Sequence, residues 1–390
     1  MGIFIKKGLC KYNILSNFSD IIKKNTKFMM IYNVRQGQTL AEICEEIHLE
    51  NPGYLMDFHN QNCPASERFQ DNKIRGKRVF IPNPKQITEL NQKIRDRNDS
   101  YYDFPDSGYF PFSYDLWAGT YNISQTTYFN GEMVSVHRKK ISLDLERVND
   151  SSYHFLLSEF DFRKNDKLSE STMSALATRC IEIIYPVRIR VNSQGQILNI
   201  ELTKSPEQIY ADLEAVKQYF TDDYTSDYIE RVRKTIEYPK EISLKFESTL
   251  TNTFLFGSFY GAKLETWTHS QTYQDFYPWI FDANAVRFDL QNRLCPKERK
   301  DDEFIKILQK GRCSDYRSQE DLYLKNTLYN AAIPLDENSI DGEHVAEYIF
   351  KRENLALQRI EASFRNFIHE DIGEKVFLLE KTEDHNQFKQ

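Results

Sequence analysis

The sequence predicts an α+β protein: a small βααβ unit, then a larger antiparallel β-rich domain, a twisted sheet or open barrel, interrupted by a helical insertion. Three observations carry this. Residues 32–82 pass from strand-like alternation to helical spacing and back. Residues 120–162 hold β-branched and aromatic runs around Asn130-Gly131, the strongest short-range hairpin signal. At Ser205-Pro206 the apolar period lengthens to that of a helix, and near Val345 it returns to two.

Tyr32 and Val34 alternate with polar neighbours, as in a half-buried strand. Arg35-Gln36-Gly37-Gln38 reads as a turn, with Gly37 free to take a left-handed backbone. Thr39 is placed to cap a helix, and Glu42, three residues on, completes a capping box. Leu40, Ile43, Cys44 and Ile47 follow at helical spacing. Pro52-Gly53 breaks this helix, and Leu55 and Phe58 mark a second, ending near Asn60. Ile74-Arg75-Gly76 reads as a turn, and Val79-Phe80-Ile81 as a strand closed by Pro82. The expected core is Val34, Leu40, Ile43, Leu55, Phe58, Val79 and Ile81.

This succession over residues 32–82 resembles a LysM module, a βααβ domain that usually binds N-acetylglucosamine-containing glycans. The resemblance implies a shallow groove between the loop after the first strand and the loop before the second. Its residues here would be Gly37, Gln38, Thr39, Leu40, Asn60, Gln61, Arg68, Phe69 and Ile74. Two departures fall on that groove. Gln38 stands where an Asp is usual, and the second loop, 61–73, is long and carries Cys63, Pro64, Arg68 and Phe69. Both move the expectation from a sugar reader toward a groove that docks a protein partner. Peptidoglycan or chitin binding is the alternative.

Around this module the chain divides into a basic leader (1–30), the module (31–84), a connector (85–114) and the large domain (115–390). The leader has no apolar run long enough for a secretory signal, since lysines interrupt it from Lys6 onward. The expectation is therefore a protein of the cytoplasm, exported only as part of a secreted complex. In the connector, Ile87, Leu90 and Ile94 predict a helix, followed by a Pro- and aromatic-rich stretch to Tyr114. In the large domain, strands are expected at 120–129, 132–148 and 153–162, and a hairpin from 180–191 and 196–202. Ile209, Leu213, Val216 and Phe220 form one helical stripe, and Tyr228, Ile229, Val232 and Ile236 another, giving helices over about 205–237. Residues 242–259 fit helix or strand. A closing meander is expected at 345–351, 355–367 and 375–380. In outline the domain resembles lipocalin-like or lipoprotein-carrier-like half-barrels.

The net charge of −7 provides no basic surface of the kind nucleic acid demands. No run is long enough to span a membrane as a helix. The six cysteines are widely and irregularly spaced, which favours reduced thiols. Phosphate loops, dinucleotide fingerprints and paired-cysteine zinc motifs are absent, so no cofactor and no metal are expected. Gly257-Ser258-Phe259-Tyr260-Gly261 places its serine one position too early for a nucleophile elbow. A wall hydrolase would need a nucleophile, and Cys313 with His344 or His369 is the nearest arrangement. Arg312 precedes that cysteine, however, and Asp315 occupies the slot where NlpC-type peptidases carry glycine. No catalytic residue is therefore assigned. The leading expectation is a non-enzymatic adaptor whose module docks on a spike, baseplate or secreted cargo of a contractile injection or type VI secretion system.

Overall fold

The computed structural model describes residues 30–69, 74, 76–97, 99, 110, 112–149, 152–168, 171–257, 260, 272–295, 303–324, 329–330, 332–335, 339–368 and 371–382. Two compact units divide between Ser100 and Tyr101.

The first unit contains β1 (Met30–Asn33), α1 (Leu40–Ile47), α2 (Pro52–Asn62), β2 (Arg78–Ile81) and α3 (Pro84–Asp96). β1 and β2 pair antiparallel, with Tyr32 opposite Val79. Thr39 caps α1 in a full capping box with Glu42. Asn51 caps α2 by accepting from Gly53 N, with Pro52 in the first turn. Leu40, Ile43, Cys44, Leu55, Val79 and Ile81 form the core. Val34 and Phe58, both expected in the core, are only half-buried, and His59 is buried in place of Phe58. The inward stripe of α2 runs through the i, i+4 pair Leu55 and His59, which leaves Phe58 on its flank. The expected connector helix, α3, belongs to this unit. Ile94 is buried in its core, the Asn91 amide bridges Glu50 N and His48 O, and Arg95 Nε reaches Glu50 at 2.9 Å.

The second unit begins with α4 (Tyr114–Trp117), β3 (Gly119–Phe129), β4 (Glu132–Asn149), β5 (Ser152–Lys164), α5 (Thr172–Ile184), β6 (Val187–Asn192) and β7 (Ile197–Leu202). A helical excursion follows: α6 (Pro206–Lys217), α7 (Asp223–Ile236), α8 (Pro239–Glu247) and α9 (Leu250–Leu255). The chain returns as β8 (Thr272–Tyr277), β9 (Val286–Leu294), β10 (Phe304–Cys313), α10 (Gln319–Tyr323), β11 (Asp341–Lys351), β12 (Leu357–Ile368) and β13 (Asp371–Lys381). All eleven strands join one antiparallel sheet in the order β7-β6-β5-β4-β3-β13-β12-β11-β10-β9-β8.

The expected β3–β4 hairpin is present. Asn130 (φ 49°) and Gly131 (φ 81°) both take the left-handed backbone that its two-residue turn requires. Asn130 also ties the turn to β13, accepting from Ile372 N and donating to Asp371. The capping box of Ser205 and Gln208 opens α6, and α7 follows as its apolar stripe predicts. Residues 180–184, expected as strand, end α5 instead. Ser171 caps this helix and Leu176 and Cys180 bury one face, so the i, i+4 spacing outweighs the local alternation of Ile181-Glu182-Ile183. The 242–259 stretch is helical in α8 and α9. The sequence reading did not identify β8, β9 and β10, although Val286, Phe288 and Leu290 alternate inward on β9.

The sheet is strongly curled. Five strand spacings separate β8 from β13, about 24 Å if the sheet were flat. Yet Phe254 of α9 lies 5.4 Å from Tyr277 on β8 and 4.9 Å from Phe377 on β13, ring centre to ring centre. It also meets Tyr348 of β11 and Phe364 of β12. The inner face, carrying Tyr121, Ile141, Leu143, Phe155, Phe364 and Phe377, therefore wraps around α9, Phe110, Phe112 and Trp117. Outside it, α5–α8 share a separate core of Leu176, Cys180, Ile209, Leu213, Ile229, Ile236 and Ile242. α8 also covers the edge strand β7, where Ile200 N donates to Ser243 Oγ at 3.1 Å.

Phe254→Ala removes the ring that spans the curl. It is expected to lower the unfolding free energy of the second unit by about 3–5 kcal/mol in urea titration. A loss below about 1 kcal/mol would show that the sheet holds its curvature without this contact.

Candidate functional site

In the first unit the turn after β1 is built around Gln38. Its Oε1 accepts from Arg35 N at 3.0 Å, and its Nε2 donates to Tyr32 Oη at 2.8 Å and Glu46 Oε1 at 3.0 Å. Tyr32 and Arg35 both bond Glu46 as well. Gln38 thus supplies a donor and an acceptor where a carboxylate could only accept, and every polar atom of its side chain is engaged within the unit. Gly37 is exposed at φ +78°, with open space around it. The exposed Thr39 spends its hydroxyl on the cap, and Leu40 is turned into the core.

The facing loop is organised by Asn60 and His59. Asn60 Oδ1 accepts from Phe69 N and its Nδ2 donates to Phe69 O, each at 2.8 Å, so one amide pins the backbone of Phe69 in both directions. Phe69 is 3% exposed and stacks on His59, ring centres 4.1 Å apart. His59 Nδ1 accepts from Phe80 N at 3.1 Å, which leaves Nε2–H to donate to Glu67 O at 3.0 Å. The neutral imidazole therefore joins α2, the loop and β2 with both nitrogens satisfied. Gln61 and Arg68 are exposed, and Ile74 is partly buried against the core. Residues 70–73 and Arg75 lie outside the described residues. Of the nine residues assigned to the groove, Leu40 and Phe69 offer no exposed side chain and Gln38 and Asn60 are committed internally. Gly37, Thr39, Gln61 and Arg68 face solvent.

In the second unit Cys313 ends β10 and is 8% exposed. Burial pushes its thiol up to about 12, the reverse of an activated nucleophile. His344 is buried on β11 opposite Gly311, where a Cβ would come within 2.6 Å of Leu290 and 3.3 Å of the His344 Cβ. Its Nδ1 lies 3.1 Å from Ser363 O and its Nε2 2.8 Å from the Gln309 amide. Gln309 in turn reaches Tyr277 at 3.0 Å, Tyr273 at 2.6 Å and Asn292 at 3.1 Å. Burial holds His344 neutral, down to about 3. Nε2 faces Gln309 Oε1 and Nδ1 faces Ser363 O, so the single N–H of the neutral ring can satisfy only one of the two oxygens. This is an internal polar network inside the aromatic core. Asp315 serves a similar structural purpose. It is fully buried and accepts from Arg317 Nε at 2.9 Å, Arg317 Nη2 at 2.7 Å and Arg287 N at 3.0 Å. His369 lies outside the described residues.

On the outer face a depression of about 390 Å³ is bordered by Asn122, Ser124, Arg138, Lys140, Asp161, Arg163, Asp166 and Glu380. Asn165 folds the segment after β5 back onto β4, donating its N–H to Val136 O and accepting from Val136 N. That return sets Asp166 against Arg138, while Asp161 bonds Lys140 at 3.2 Å and Arg163 at 2.9 Å. The bond from Arg163 is the chief cause that holds the Asp161 carboxyl below its usual range. The sequence reading did not single out this site. Its signal was the basic run His137-Arg138-Lys139-Lys140 in an acidic chain.

Among the described residues no group of three or more His, Cys, Asp or Glu could hold a metal ion, and Cys44, Cys63, Cys180, Cys295 and Cys313 form no disulfide. No helix among them is long and apolar enough to cross a membrane, which leaves strands unaddressed.

No family profile matches the chain, and no curated protein does. Among solved structures, one concerned with lipid–protein interactions in lipovitellin covers 68% of this chain at 9% identity, with a TM-score of 0.32; this chain spans 24% of that one. A protein of unknown function of the DUF3598 family from Nostoc punctiforme covers 70% of this chain and 99% of its own, at 9% identity and a TM-score of 0.13. Both likenesses are too loose to carry an argument.

Two measurements check these assignments. At pH 8, alkylation of Cys313 in the folded protein is expected to run about a hundredfold slower than in the unfolded chain, as followed by peptide mass spectrometry. Neutral His344 predicts a pH slope. Between its unfolded value near 6.5 and its folded value of about 3, only the unfolded state takes up the proton. Its contribution is full above about pH 6.5 and is lost progressively as the pH falls toward 3. Over that window the native chain should lose about 1.4 kcal/mol per pH unit more than His344→Gln. Equal slopes in urea titrations would refute the assignment.

Proposed function

We propose that the chain is a non-enzymatic binding or adaptor protein whose first unit is a LysM-like docking module. The observation that carries the proposal is the internal use of both groove amides. Gln38 is spent on Arg35, Tyr32 and Glu46, and Asn60 on Phe69. A sugar reader needs polar side chains free to pair with hydroxyls, because a hydroxyl left unpaired on binding loses affinity. A protein partner can instead use the exposed rim of Gln61 and Arg68, with Arg a preferred anchor at such contacts. The cysteine that comes nearest to nucleophile chemistry is buried as a thiol, which supports a role without catalysis. The LysM resemblance suggests a spike, baseplate or secreted cargo of a contractile injection or type VI secretion system as the partner.

The test uses the full chain. Pull-down from its host is expected to recover a spike, tube, baseplate or cargo protein, and Arg68→Glu should reduce that recovery severalfold. N-acetylglucosamine oligomers at about 1 mM, the range of weak binding, should give no saturable heat in calorimetry. Saturable sugar binding with recovery of wall fragments alone would replace docking with glycan recognition.

A further inference from the structure

We propose that the inner face of the large sheet, toward the β3–β4 turn, is a binding site for a phosphate group held by Lys164, His137 and Lys375, with Gln125 and Thr127 between them.

The strand register brings these residues together. His137 on β4 stands directly opposite Lys164 on β5 and opposite Gln125 on β3. Lys375 on β13 stands opposite Thr127 on β3. His137 alternates with Lys139 and the buried Ile141, and Lys375 with the buried Phe377 and Leu379, so both project on the inner face. Between Lys140 and Arg138 the β4–β5 register slips by one residue, at Asp161 with φ 55°. That bulge turns Arg163 outward to face Arg138 and Lys164 inward to face His137.

The two faces differ in how their charge is matched. On the outer face Arg138, Lys140 and Arg163 each have a carboxylate. The next inner-facing groups, Lys139 and Glu159, pair with each other at 2.6 Å. For His137, Lys164 and Lys375 no carboxylate lies within ion-pair distance among the described residues. Like charges opposite each other on neighbouring strands destabilise a sheet. A chain with 58 acidic residues against 51 basic has carboxylates to spare, so their absence at this spot is local. Burial holds His137 below its usual range, with Lys164 and Lys375 adding to the shift, and burial also lowers Lys375. An anion here would relieve all three groups. A phosphate suits the spacing, because its tetrahedral oxygens reach donors on several strands at once, whereas a carboxylate lies in one plane. The Gln125 amide and the Thr127 hydroxyl add neutral donors. The phosphate could be inorganic or the head of a small phosphomonoester.

The experiment follows the imidazole of His137 by NMR in full-length protein labelled at histidine. Chloride, inorganic phosphate and glycerol phosphate are compared at equal ionic strength. Both phosphates should move the His137 titration midpoint upward relative to chloride and leave that of His154 in place. Tighter binding of glycerol phosphate would identify an ester as the source, and equal binding the free ion; either supports the site. Lys164→Gln and Lys375→Met should each weaken the phosphate response by about tenfold, the loss of one charge-assisted contact. Without phosphate, Lys375→Met should also raise the Tm, since it removes a partly buried charge lacking a counter-ion. A His137 midpoint identical in chloride and phosphate would overturn the proposal, as would an undiminished response in both variants.

Discussion

Everything in the larger unit depends on wrapping one sheet around a filling of aromatic side chains. An open antiparallel sheet of eleven strands presents more apolar surface than a helix layer on one side can cover, and sheets of this size curl, split or flatten. Here the sheet curls, and Phe254 is the contact that makes the curl close-packed. It meets rings from β8, β11, β12 and β13 at once. Phe110 and Phe112, contributed from before β3, reach Phe350 and Phe155 on opposite arms. The filling therefore comes from two remote parts of the chain, and neither arm can complete its core alone.

This explains which parts of the fold were legible in the sequence. Local chemistry identified the Asn130-Gly131 turn, the capping boxes of Thr39 and Ser205 and the helices α6 and α7, because a few neighbouring residues decide each of them. The reading failed where distant contacts decide. Residues 180–184 alternate like a strand yet bury Cys180 and pack the partly buried Ile183 against the helices of the excursion. β8–β10 carry buried polar residues such as Gln309, which interrupt the apolar pattern and acquire meaning only when Tyr273, Asn292 and His344 surround them. Phe110 and Phe112 sit in a Pro-rich stretch that looked like surface connector.

The candidate groove was legible as a list of positions but not as chemistry. Spacing placed Gln38 and Asn60 on facing loops. Nothing in the sequence showed that one amide would bind Glu46 and Tyr32 and the other the backbone of Phe69. His59 was overlooked because a histidine on a short helix carries no signal by itself; its meaning lies in the Phe80 N–H and the Glu67 carbonyl it joins. The basic corner of the large sheet shows the opposite case. Some of its residues form a run in the sequence, yet only the register and the bulge at Asp161 separate an outer row matched by carboxylates from the inner His137, Lys164 and Lys375, which are not.

The strand order has a consequence for biogenesis. β3–β7 and β8–β12 are each an antiparallel group of successive strands, and β13 alone pairs with both β12 and β3. As the ribosome delivers the chain, the first arm emerges with β3 as a bare edge and waits through the whole excursion and the second arm. Only when residues 371–381 appear can the two edges be zipped together. Until then each arm offers an unpaired edge to any passing strand. The last strand of the sheet is therefore its fastener, and the nascent protein passes through a prolonged stage in which chaperone capture and misassembly compete with completion.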